Sequence, residues 1–139
     1  LLGRPSKYRR LESGGIGIIL LVMNGLNIFL LLFKYEEVNM DRYQIIRIIH
    51  DYMSRKPVLK AWIFGSFARG EEKAQSDIDI LFVPDFEHGS FTLLTHGGMY
   101  EDLKQLLGRE VDLVVDGSLR PYAQESVERD KILVYERAS

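Results

Sequence analysis

The chain has 139 residues, 46% hydrophobic and 27% charged, a balance that suits a folded domain and excludes wholesale disorder. Cysteine is absent, which excludes a disulfide scaffold, a thiolate zinc site and a cysteine nucleophile, and points to the cytoplasm. The net charge of −2 argues against a binder of duplex nucleic acid, whose electrostatic footprint is basic. That charge is unevenly spread: residues 1–39 carry five basic and three acidic groups, against thirteen and seventeen from Met40 onward.

Ser13 to Phe33 runs for 21 residues without a charge, and from Ile16 it is mostly Ile, Leu, Val, Met and Phe. As a helix it would reach about 31 Å, enough for a bilayer core. Gly17, Asn24, Gly25 and Asn27 weaken such a span. Arg4, Lys7, Arg9 and Arg10 precede it, so the positive-inside rule would export everything after Lys34. A secretory signal would do the same, yet the run ends without a small-residue cleavage site. Residues 1–39 are therefore read as a hydrophobic N-terminal extension outside the core domain of residues 40–139, and a membrane role is not expected. A true anchor and a packing helix are the alternatives.

Asp41 can cap a helix running to about Arg55, with Tyr43, Ile46, Ile49 and Met53 on an apolar face beside Ile45, Ile48 and Tyr52. Lys56-Pro57 stops it. Val58 to Phe64 reads as a strand that contains Trp62 as a core residue, followed by Gly65-Ser66 and a short helix to about Arg69. Glu71 to Ser76 is a polar loop, and Asp77 to Val83 a second strand closed by Pro84. Phe91 to Leu107 reads as a helix facing Leu93, Leu94, Leu103, Leu106 and Leu107 inward and ending at Gly108. Val111 to Val115 is a third strand, Tyr122 to Arg129 a last helix, and Ile132 to Tyr135 a terminal strand or an extended tail. This order suits a small sheet covered by helices, with strand polarity left open.

The chemistry lies in Gly65-Ser66-Phe67-Ala68-Arg69-Gly70 and in Asp77-Ile78-Asp79. Residues two apart on a strand share a face, so Asp77 and Asp79 would project together while Ile78 and Ile80 enter the core. Two like charges held that close favour a divalent cation between them, and hard oxygen ligands suit magnesium. A solvated strand edge with two chance aspartates is the plain alternative. Gly65-Ser66 falls at a strand-to-helix turn, where free N–H groups and the serine hydroxyl can receive a phosphate. Asp112, flanked by apolar residues in a strand read as buried, is costly unless paired or bound to metal; an edge-strand aspartate facing water is the other reading.

Gly-Ser, ten intervening residues, then Asp-x-Asp resembles the signature of the DNA polymerase beta-like nucleotidyltransferase superfamily. The flanks Phe64, Ala68-Arg69-Gly70, Ser76 and Ile78-Ile80, with Val111-Asp112-Leu113 as the third acidic segment, look like its small prokaryotic branch, the minimal nucleotidyltransferases. The likeness spans about Asp41 to Tyr135 and leaves residues 1–39 unmatched. It implies an α+β nucleotidyltransferase fold, a small mixed sheet with flanking helices. It also implies two Mg2+ ions and ATP as donor, with in-line attack of an acceptor hydroxyl on the α-phosphorus. Asp77, Asp79 and Asp112 would be metal ligands and catalytic residues, Asp112 also taking the acceptor's proton. Gly65 and Ser66 would hold the β/γ phosphates. Arg69 would either neutralise the triphosphate or pin the short helix by pairing with an acid.

About a hundred residues leave little surface for an acceptor, which implies a homo-oligomer or a partner protein. In the minimal branch that partner is commonly a small helical HEPN-family toxin, which some members adenylylate on a tyrosine as type VII-like antitoxins. Transfer to a small hydroxylated molecule such as an antibiotic, and neutralisation of a partner by contact without catalysis, are the competing expectations.

Overall fold

In a computed structural model of the chain, residues 8–13, 16–21, 40–73 and 75–139 are described. The chain divides into two compact units, Leu1–Val38 and Asn39–Ser139. In the first, β1 (Tyr8–Ser13) and β2 (Ile16–Leu21) pair antiparallel from Tyr8–Leu21 to Ser13–Ile16. The described part of the long apolar run is thus a strand, as its isoleucines favour. The remainder of that run lies outside the described residues. Among the described residues no helix is long and apolar enough to cross a membrane.

The second unit opens with α1 (Arg42–Met53). Asp41 accepts the Gln44 N–H at 2.8 Å and the Gln44 side chain accepts the Asp41 N–H at 2.9 Å, a reciprocal cap. Ile45, Ile49, Tyr52 and Met53 are buried, with Ile46 and Ile48 packed beside them. Tyr43, expected on this face, is exposed, since it sits about 200° around the helix from Ile45.

Then come β3 (Val58–Phe64), the single turn α2 (Gly65–Ala68), β4 (Ile78–Pro84) and α3 (Leu93–Leu107). β5 (Val111–Val115), α4 (Pro121–Asp130) and β6 (Ile132–Glu136) complete the order, so the C-terminal segment is a strand. The sheet runs β5-β4-β3-β6, with β4 and β5 parallel and the other neighbours antiparallel. β5 and β6 are its edges. α1 packs on β3, β6 and α3, and α3 also packs on β5. They cover one face, where Ala61, Ile63, Ile78, Ile80, Phe82 and Leu113 enter the core.

α3 departs from the expected pattern. Thr92 caps it reciprocally with Thr95, so it starts two residues after Phe91. Met99, Leu103 and Leu107 are buried in one stripe, whereas Leu93, Leu94 and Leu106, expected to face inward, are exposed. A spacing of four keeps one stripe on the core; Leu106 is one step off it, and Leu93 and Leu94 lie in the first turn. Trp62, expected in the core, is half-buried on the other sheet face with the Lys131 ammonium 4.6 Å over its ring.

Past β4 the chain is locked by Asp85, which is 1% exposed. Its carboxylate accepts the N–H groups of Glu87 and His88 and bonds the Arg137 guanidinium, which also reaches the Lys56 carbonyl. The His88 N–H and Arg137 hold its pKa down to about 2, and the lock ties the tail after β6 to two loops.

Candidate active site

The sheet alternation that buries Ile78 and Ile80 turns Asp79 to the opposite face. In the parallel register Asp79 lies beside Asp112 of β5, on strands about 4.8 Å apart. Asp77 lies one residue before β4 and so outside the strand expected to carry it. Its charge still bears on Asp79, and Asp112 joins Asp79 across the strands. Asp77 is exposed and Asp79 half-buried. Asp112 is exposed on the edge strand β5. The expectation of a buried Asp112 is therefore corrected: its register, and not its burial, brings it to Asp79.

β3 ends at Phe64, directly across from Asp79, and Gly65 follows with φ +69°. A Cβ built on Gly65 would overlap the Asp79 carboxylate oxygen. Glycine is required here both for its conformation and for this close approach. Phe64 supplies no side-chain cap to α2, so the first N–H groups of the turn lack intrahelical partners. The Ser66 hydroxyl is half-buried and has no hydrogen-bond partner among the described residues. Arg69 bonds Glu71 at 3.0 Å and Asp130 at 3.5 Å, linking the end of α2 to the end of α4.

Burial, then the charges of Asp112 and Asp77, push the Asp79 carboxyl up to about 6, against an opposing pull from Arg69. The folded state holds this proton more tightly than the unfolded one. Ionising Asp79 therefore costs stability as the pH rises from about 4 to about 6, and the cost is absent below that window. It amounts to about 1 kcal/mol once solvent screening of a half-exposed group is allowed for. Metal-free Asp79→Asn is expected to melt above the wild type near about pH 7.5 and together with it near about pH 4. Thermal melts that coincide at both would remove this electrostatic account.

Among the described residues no three His, Asp or Glu side chains converge closely enough to enclose a metal ion. The donors are nevertheless of the right kind. Asp79 carries an unfavourable excess of neighbouring negative charge, all the acids offer hard oxygens, and magnesium commonly uses one or two carboxylates together with water and substrate phosphates. The residues fit a divalent ion that a nucleotide helps to complete.

Two residues that support the site carry no sequence signal. Arg42 of α1 donates to the Phe67 carbonyl at 2.6 Å and the Ala68 carbonyl at 3.4 Å, lies 4.6 Å over the Phe67 ring, and so holds α2. Arg109 donates to the carbonyls of Lys73 and Ser76, in the loop before Asp77. Main-chain acceptors so far away in sequence leave no motif.

An acidic face at one end of a small mixed sheet, beside an uncapped Gly-Ser turn, is a construction suited to handling a phosphorylated substrate with a divalent ion. The family model of the nucleotidyltransferase domain matches residues 45–134, and the chain belongs to that family. It is 31% identical over 103 residues to the Methanocaldococcus jannaschii protein MJ1379, named for an inferred protein adenylyltransferase activity, covering 73% of this chain and 88% of that one. It is 43% identical over 72 residues to the protein adenylyltransferase MntA of Thermococcus cleftensis, 52% of this chain and 70% of the relative.

Two solved structures share the fold. One is a toxin–antitoxin crystal structure with AMP-PNP, at a TM-score of 0.52 and 20% identity over 70% of this chain and 75% of that one. The other is the complex of a tri-AMPylated Shewanella oneidensis HEPN toxin with its MNT antitoxin, at 0.52 and 16% over 70% and 74%.

Proposed function

We propose that the chain transfers AMP from ATP to a hydroxyl of a partner protein, a tyrosine of a HEPN-type toxin, and thereby acts as a type VII-like antitoxin. The observation that carries this reading is Asp79 packed against the backbone of Gly65 and aligned with Asp112. The names of the relatives support the protein acceptor and the partner class. The nucleotidyltransferase unit is residues 40–139, with residues 1–39 as an extension to it.

Asp77, Asp79 and Asp112 would hold two Mg2+ ions, which when bound neutralise phosphate charge and lower the pKa of a coordinated hydroxyl. The chain's own residues do the rest. The open N–H groups of α2 and the Ser66 hydroxyl receive the β/γ phosphates. Arg69 exchanges its Glu71 contact for phosphate as pyrophosphate leaves. Asp112, at the solvent edge of the sheet, takes the proton of the incoming hydroxyl. Burial and its acidic neighbours raise the Asp79 carboxyl to about 6, so it is ionised only when the site works above that pH.

The test is incubation of the purified chain with ATP, magnesium and a HEPN-type protein from the same genome, read by mass spectrometry. Added adenylate on a tyrosine of the partner is expected. An unmodified partner that is nonetheless neutralised would favour contact alone, and adenylate found only on a small hydroxylated compound would move the acceptor.

A further inference from the structure

Asp77 lies outside β4 and is exposed, and the described residues between Glu71 and Asp77 form neither helix nor strand. The sheet alone therefore does not aim its carboxylate. An anchor comes from the corner after α3, where Gly108 adopts φ +61° and turns the chain. Arg109 then reaches back across 33 residues. Its Nε and a terminal nitrogen donate to the Ser76 carbonyl at 3.0 and 2.6 Å, and the same terminal nitrogen donates to the Lys73 carbonyl at 3.1 Å. The next residue continues the seam, since the Glu110 carbonyl accepts the Ile78 N–H at 3.0 Å. Asp77 is thus gripped on both sides, through Ser76 and through Ile78, by two consecutive residues that lead directly into the strand of Asp112.

The guanidinium suits this task. Arg109 forms no ion pair among the described residues, and its fork meets two carbonyls with charge-assisted bonds, about twice as strong as neutral ones. A lysine ammonium on a flexible stem has no such fork. The charges that bear on Asp79 are those of Asp112, Asp77 and Arg69, so Arg109 acts on the site through geometry.

We propose that Arg109 is a positioning residue of the acidic site, which clamps the main chain before Asp77 and so fixes where that residue enters β4, next to Asp79 and the strand of Asp112. This rests on the reading of Asp77 as a metal ligand. Residues that orient metal ligands typically contribute about 10–100-fold in metal affinity, and that is the size of effect expected here.

The experiment measures binding of Mn2+ alone to the full chain, for wild type, Asp77→Asn, Arg109→Gln, the double variant and Arg109→Lys. Arg109→Gln is expected to weaken Mn2+ binding about 10–100-fold in the wild-type background and to change nothing further once Asp77 is asparagine, because its effect passes through Asp77. Arg109→Lys, which keeps the charge and reaches one carbonyl, falls between. An equal loss in both backgrounds would show a general structural role and overturn the proposal, as would unchanged binding in Arg109→Gln. If Asp77→Asn itself binds Mn2+ like the wild type, the metal-ligand reading fails first and the proposal with it. Should Arg109→Gln not fold, Arg109→Lys carries the same cycle.

Discussion

Asparagine at Asp79 or at Asp112 is expected to slow adenylate transfer by about a thousandfold or more, roughly 4 kcal/mol of lost transition-state stabilisation. The substitution keeps the shape and one oxygen of each side chain and removes the charge. Asp79 and Asp112 meet in register across β4 and β5, so either change leaves one carboxylate where the pair is needed. Loss of folding does not explain such a result, since Asp79→Asn relieves burial of a charge and repulsion from two neighbours. A variant that is more heat-stable and yet inactive is the signature of a site held at a cost to stability. Transfer of labelled adenylate to the partner is the measurement. Either variant retaining more than about a tenth of the wild-type rate would contradict the assignment.

The second large effect is expected at Gly65. Gly65 and Gly70 share nearly the same left-handed conformation, φ +69° and +70°. An added Cβ meets nothing within 4 Å at Gly70, whereas at Gly65 it overlaps the Asp79 carboxylate. Gly70→Ala therefore carries the conformational penalty alone, about 1–2 kcal/mol. Gly65→Ala carries the same penalty and also displaces Asp79. A displacement of about 1 Å is enough to lower a rate about a hundredfold, so Gly65→Ala is expected to be nearly inactive while Gly70→Ala keeps most of its activity. Comparing melts and rates of the pair separates strain from misplacement. Similar losses of activity in both would mean that the conformation, and not the contact with Asp79, is what the site requires.

The elements that a reader could find in the chain are those with local causes. Asp41, Pro57, Gly108 and Pro121 punctuate helices through hydrogen bonds and dihedrals within a few residues, and the helices stop or start near them. Three strands with alternating or continuous apolar residues lie within a residue of their expected limits. The errors concern position relative to other elements. Leu93 and Leu94 look like core residues, yet their turn of α3 leaves them in solvent.

Asp112 shows the same limit in a functional residue. Its apolar neighbours suggest burial, but only the strand order shows that β5 is an edge. Its partnership with Asp79 depends on a parallel register, and strand polarity is not written in either strand. Arg42 and Arg109 act on carbonyls 25 and 33 residues away, and every residue, proline included, offers an equivalent main-chain carbonyl. No spacing could single them out.

The pairing of β3 with β6 has a consequence for the order of synthesis. Lys60 pairs with Glu136 and Ile63 with Ile132, so the strand that carries Gly65 at its end lacks one neighbour until the last strand has been made. Gly65, Ser66, Arg69, Asp77, Asp79 and Asp112 all precede that strand. A nascent chain thus holds its full set of site residues well before its sheet is closed on both sides. Closing contacts of such long sequence separation form slowly, and the Arg137–Asp85 lock arrives only with them. A stop codon shortly before Ile132 would leave every site residue encoded and remove the framework that holds them.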